Sequence, residues 1–78
     1  MWFVYLLKCS DGTYYTGCTI DLEERIKRHQ KGENTYTKFR LPILLVSYTA
    51  FSNKYKAFEY EKYLKSGSGK AFAKKRLI

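Results

Sequence analysis

A chain of 78 residues has room for one domain, and a fold of that size buries roughly 60–65% of the surface its unfolded chain exposes. With 45% apolar and 18% aromatic residues it is too apolar to stay disordered, so a single domain over residues 1–78 with a small aromatic core is expected. Fifteen Lys and Arg against seven Asp and Glu give a formal charge of +8, which points to a polyanionic partner. The charge is uneven: Lys62, Lys65, Lys70, Lys74, Lys75 and Arg76 follow Glu61 with no further acid. Nucleic acid matches a small, basic, tyrosine-rich domain best, and a solvated basic face is the bland alternative. The apolar run from Met1 to Leu7 is too short for a secretory leader or a membrane span, so a soluble cytoplasmic protein with no membrane partner is expected. Cys9, Cys18 and the single His29 cannot complete a four-ligand zinc site, and a reducing compartment fits.

Residues 2–9 and 13–18 are rich in β-branched and aromatic side chains, and Ser10-Asp11-Gly12 between them supplies a turn. A type I turn with Gly12 left-handed makes a three-residue hairpin loop closed by a bulge. That register opposes Leu7 to Tyr15 and Tyr5 to Gly17, so Tyr5 and Tyr15 share one face. A four-residue loop would put them on opposite faces. In the three-residue register Cys9 and Cys18 face opposite sides and cannot form a disulfide.

Asp21 followed by Glu24 has the pattern of a reciprocal N-terminal cap, and the helix it starts is expected to run to Lys31 before Gly32 stops it. Leu22, Ile26 and His29 fall in one stripe of that helix with Arg25 on its edge, so two polar residues face inward. Residues 33–41 show no period and read as a loop carrying Tyr36, Lys38, Phe39 and Arg40, ended by Pro42. Residues 43–50 begin apolar on both parities, which suits a central strand covered on both faces and paired with the hairpin. Ser52-Asn53 caps a helix over about Lys54 to Lys65, and Gly67 and Gly69 separate it from a short last helix ending near Arg76.

Ala57, Tyr60, Glu61 and Leu64 share one face of the second long helix, while Glu59 points away. An inward carboxylate is costly unless a cation, a metal or hydrogen bonds compensate it. Arg25 is the matching inward cation, and the spacing leaves two readings open: a partly buried Arg25–Glu61 ion pair, or a phosphate clamp and a metal ligand. His29 by itself reads as a satisfied core histidine, and the tyrosines by themselves as sheet packing. Two phenols, an Arg, a His and an inward Glu gathered on one side of one small sheet are, however, the parts that phosphodiester cleavage needs. A lone carboxylate would hold one Mg²⁺ weakly, with water and the phosphate completing its coordination.

Phe3-Val4-Tyr5, Tyr15-Thr16-Gly17 ten residues on, Asp21-Leu22-x₂-Arg25-x₃-His29 and Ala57-x₃-Glu61-Lys62 together resemble the GIY-YIG endonuclease superfamily. Phe3-Val4 stands for Gly-Ile and Thr16 for Ile, while both tyrosines and Gly17 remain. The likeness spans nearly the whole chain and is nearest to the small stand-alone bacterial forms related to the N-terminal nuclease domain of the bacterial excinuclease. It implies an α/β (α+β) fold, a three-stranded antiparallel sheet flanked by helices in the order β-β-α-β-α-α. It implies one Mg²⁺ or Mn²⁺ on Glu61, the scissile phosphate on Arg25, water positioned or activated by Tyr5 and Tyr15 with His29 assisting, and a backbone role for Gly17. Endonucleolytic hydrolysis of DNA follows as the expected activity, with a role in DNA repair or recombination and with RNA left open as a substrate. Lys38, Arg40, Lys65, Lys70, Lys74 and Lys75 are the candidate nucleic-acid contacts. Two other readings stay open: a non-catalytic nucleic-acid binding module working with a protein partner, and a protein-interaction adaptor.

Overall fold

The first turn sets the register of the sheet. Gly12 sits at φ 85°, its N–H donates to the Cys9 carbonyl at 3.0 Å, and Cys9 N–H donates to Thr13 at 2.8 Å. The three-residue loop therefore forms as its residues dictate. The computed structural model describes residues 1–78 and holds β1 (Trp2–Lys8), β2 (Tyr14–Thr19), α1 (Leu22–Gln30), β3 (Leu44–Phe51), α2 (Lys54–Lys65) and α3 (Gly67–Arg76). The sheet is antiparallel with order β2-β1-β3, and Tyr5 pairs with Gly17 and Leu7 with Tyr15. The element order and the three-stranded sheet are those the sequence resemblance implies.

The central strand is β1, whose residues Val4 to Leu7 are all buried. The expectation that residues 43–50 form the central strand is overturned: β3 is an edge, with Leu44 and Tyr48 65% and 55% exposed. A β-bulge explains the misleading pattern. Ser47 faces Leu6, but the next pair is Leu45 with Leu7, so the register slips by one and apolar residues occur on both parities without double coverage.

The two faces of the sheet are covered differently. Val4 and Leu6 pack with Ala57 and Leu64 of α2 and Ala73 of α3, bordered by Trp2, Phe51 and Tyr60. Tyr5 and Leu7 face the other way and are fully buried, with His29 of α1 against Tyr5. Cys9 is buried and Cys18 half-buried, both as free thiols. No helix is long and apolar enough to cross a membrane.

Local signals account for the helix ends, with two departures. Asp21 caps α1 by accepting from Glu24 N–H at 3.0 Å, and Gly32 at φ 77° follows the C-cap Lys31. The reciprocal bond from Glu24 is not made. Thr19 Oγ1 already accepts the Asp21 N–H at 3.1 Å, and Glu24 turns outward to Arg28 at 3.0 Å. Asn53 caps α2 through Tyr55 and Lys56 N–H. Gly67 and Gly69 lie inside the first turn of α3 rather than between the helices, because Ser66 caps it by accepting from Gly69 N–H at 3.1 Å. A Cβ on Gly69 would run into the Tyr63 carbonyl and lie 2.7 Å from Leu64 Cα, so this glycine sets how closely α3 approaches α2.

Candidate active site

The site is built around the hole left by Gly17. A Cβ there would collide with Tyr5 Oη and Cζ and come within 2.8 Å of its Cε1. The missing side chain lets the Tyr5 ring cross β2, whose outer side is the sheet edge. Tyr15, two residues before on the same face, lies with its ring centroid 6.2 Å from that of Tyr5.

From above this face α1 brings in His29, fully buried, with its ring 5.7 Å from Tyr5 and 5.0 Å from Tyr15. His29 Nε2 lies 3.0 Å from Tyr5 Oη and Nδ1 lies 2.8 Å from Thr37 Oγ1. Burial, with the Arg25 charge adding, holds His29 below its ordinary 6.5, so the ring is neutral and one of its two nitrogens accepts. The core-histidine reading is thus satisfied in full, and it places the ring against the Tyr5 hydroxyl. Asn34 starts the loop turn by accepting from Tyr36 and Thr37 N–H, and its amide donates to Tyr15 Oη at 3.3 Å. Thr37 and Asn34 were not among the sequence candidates. Asn34 carried a turn signal, but only the fold brings it and Thr37 to the tyrosines and the histidine.

Arg25, one turn before His29, lines a small polar cavity of about 340 Å³ with Arg28, His29, Glu33 and Asn34. Its Nε is buried and has no hydrogen-bond partner. Such a donor is costly in isolation and is suited to an anion.

Glu61 reaches the same edge from the opposite side of the sheet, because α2 packs on the Val4–Leu6 face. The five expected residues therefore gather from both faces around β2, rather than on one side as expected. The fields of Arg25 and Glu61 both reach the Cys18 thiol and the Tyr5 hydroxyl. The two do not pair within 4 Å, so the Arg25–Glu61 ion pair is not formed. The partner of Glu61 is Lys65, 3.2 Å away, with side chains 23% and 57% exposed respectively. Glu59 points outward to solvent.

Burial, followed by the neighbouring Tyr15, pushes the Tyr5 phenol up to about 12, with the Arg25 guanidinium opposing and Glu61 adding. Tyr5 is therefore a neutral hydrogen-bonding phenol at neutral pH. Burial pushes the Cys18 thiol up as well, with Glu61 adding and Arg25 opposing.

A divalent cation would find one carboxylate here, since no three His, Cys, Asp or Glu side chains converge. Glu61 suits a hard Mg²⁺ or Mn²⁺ in donor chemistry, being an inward oxygen ligand whose present partner is a flexible, half-exposed lysine. Water and a substrate phosphate would have to supply the other ligands.

The basic candidates fall into two groups. Arg40 is held by Asp11 at 3.0 Å and lies 4.1 Å over the Tyr36 ring, and Lys38 lies 5.0 Å over Phe39. Lys65, Lys70 and Lys74 line a groove of about 610 Å³ between β2 and the α2–α3 pair, whereas Lys75 does not.

Comparison with known proteins bears on this arrangement. The GIY-YIG catalytic domain family matches residues 1–76. UPF0213 protein BH0048 of Halalkalibacterium halodurans is 45% identical over 60 residues, covering 76% of this chain and 64% of that protein. UPF0213 protein SAG0778 of Streptococcus agalactiae is 40% identical over 70 residues, covering 88% and 80%. UPF0213 protein YazA of Bacillus subtilis is 42% identical over 64 residues, covering 81% and 65%. The matched region thus spans somewhat under two thirds of the first and third of these relatives. The solution NMR structure of BH0048 superposes with a TM-score of 0.61 and 39% identity, over 96% of this chain and 84% of that one. The match over 76 of 78 positions, with the tyrosines, arginine, histidine and glutamate brought to one strand edge, makes this chain a member of the GIY-YIG family, a nuclease superfamily.

Proposed function

We propose that the protein is a metal-dependent endonuclease that hydrolyses phosphodiester bonds in DNA at the β2 edge. The observation that carries this reading is Arg25, whose side chain lines a polar cavity beside His29 and whose Nε is buried without a partner. In this reading the Arg25 guanidinium holds a phosphate oxygen at that cavity. With the proton of the neutral imidazole on Nδ1, that N–H donates to Thr37 Oγ1 and the Tyr5 O–H donates to His29 Nε2, so the imidazole stands ready to receive a proton through the phenol. Asn34 donates to Tyr15 Oη and leaves the Tyr15 O–H free to hold water or a phosphate oxygen. Glu61 would hold one Mg²⁺ or Mn²⁺, which when bound supplies charge neutralisation on the phosphoryl group. Lys65 hydrogen-bonds to Oε2 alone, so Oε1 is the oxygen such an ion would take.

A second reading, binding without turnover, is favoured by that same Lys65–Glu61 pair, which sets a cation beside the site's one carboxylate. Labelled branched and linear DNA incubated with Mg²⁺ or Mn²⁺, against an EDTA control, separates the two. Metal-dependent cutting of at least one substrate is expected. DNA that is bound across the whole panel and never cut supports the second reading.

A further inference from the structure

We propose that the groove between β2 and the α2–α3 pair seats an unpaired nucleotide flanking the phosphate that is cut. This rests on the nuclease reading above and deepens it by naming a substrate class.

The groove holds about 610 Å³, within the roughly 300–1,000 Å³ typical of sites for small organic groups. Its floor is apolar, formed in part by Leu64 and Ala73. One side carries Tyr14, Tyr15 and Tyr36, and the other Lys65, Lys70 and Lys74, with no Asp or Glu side chain among the lining residues. Lys70 and Lys74 stand four apart on α3, so they share one face. The tight approach of α3 to α2 at Gly69 brings that face to the groove.

This chemistry calls for a flat aromatic group that carries negative charge. Nucleobases stack on aromatic side chains with little regard to sequence, while lysines follow the phosphates. An acidic peptide would satisfy the lysines and leave three phenol rings without a purpose. A base inside a duplex has both faces covered by its neighbours, so only an unpaired one can enter.

Position argues the same way. Tyr15 belongs to both places: it lines the groove, and its ring lies 5.0 Å from that of His29 in the catalytic cluster. Tyr36, the rim residue, is braced by Arg40 at 4.1 Å and by Tyr15 at 5.7 Å between centroids. A nucleotide seated here is therefore next to the phosphate that Arg25 would hold.

The test is binding in EDTA, where no cutting intervenes, by fluorescence anisotropy of a short labelled single strand and of a blunt duplex with the same number of phosphates. The single strand is expected to bind roughly tenfold more tightly. Tyr14→Leu should remove most of that preference and Tyr14→Phe should keep it, since the ring and not the hydroxyl does the stacking. Lys70→Gln with Lys74→Gln, both at exposed positions that cannot unfold the chain, should weaken the single strand more than the duplex. Equal affinity for strand and duplex, or an equal loss for both in the lysine variant, overturns the proposal. Cutting without strand preference would defeat the groove and spare the nuclease reading; strand preference without cutting would do the reverse.

Discussion

Tyr5, His29 and Thr37 form a buried chain of three hydrogen-bonding groups, and this sets what single substitutions do. Tyr5→Phe keeps the ring but leaves His29 Nε2 without a partner, at a cost of about 1–3 kcal/mol by denaturant unfolding. Tyr15→Phe loses only a 3.3 Å bond at a half-buried site, so about 1 kcal/mol or less is expected. Both should lower the cleavage rate at saturating DNA by roughly 10²–10⁴-fold. Tyr48→Phe is the control, because that ring is 55% exposed on the far strand. Equal rates in all three variants would reduce the tyrosines to packing. His29 gives a second expectation. Its folded pKa lies below its ordinary 6.5, so the unfolded chain takes up a proton first as pH falls. Stability is unaffected by this group well above 6.5 and declines as pH falls through 6.5 towards the depressed value. Urea midpoints should fall between about pH 7 and pH 5, and His29→Gln should flatten that decline. The Asp11 carboxyl, held low by its bonds to Thr13, acts only in a more acid range.

At the scale of elements, the hairpin and the helix caps were legible because each depends on a few adjacent residues. Gly12 fixed the loop length, and the loop length fixed which tyrosines share a face. What depends on distant neighbours was not legible. The Thr19 bond that displaces Glu24 is local, made by a competing acceptor, whereas the β3 bulge, set by pairing with β1 well before it in the chain, disguises an edge strand as a central one. Likewise Glu61 was readable as inward, but only the packing of α2 shows that it approaches β2 from the face opposite His29. Gly17 ties these elements together, since it lets Tyr5 lie across β2 towards both. Gly17→Ala must push the Tyr5 ring aside. A loss of about 1–3 kcal/mol is expected, with a fall in cleavage as large as that of Tyr5→Phe. An alanine variant with parental stability and rate would show that Tyr5 does not need its present position.

At the scale of the molecule, the net charge of +8 is directed rather than spread evenly. Lys65, Lys70 and Lys74 meet in one groove, while Arg40 is tied to Asp11 and Tyr36. DNA affinity should therefore fall steeply with salt, through release of condensed counterions. Changing Lys70 and Lys74 to Gln should reduce the slope by about 2, one for each phosphate contact, and Lys75→Gln should change it less. An unchanged slope in the double variant would make the tail a solvated face.

In the proposed function, Glu61 is the carboxylate that would turn a basic, aromatic binding surface into a hydrolytic site. Its pair with Lys65 is at the surface and worth at most about 1 kcal/mol, so removing the charge should leave the fold standing. The direct measurement is cleavage of labelled DNA by the parent and by Glu61→Gln, side by side in Mg²⁺ or Mn²⁺, with DNA binding and unfolding followed on the same samples and Glu59→Gln as the outward-facing control. The expected result is cutting by the parent and by Glu59→Gln, and a rate at least about 10²-fold lower in Glu61→Gln with binding and stability retained. Cutting by Glu61→Gln at the parental rate would contradict the account.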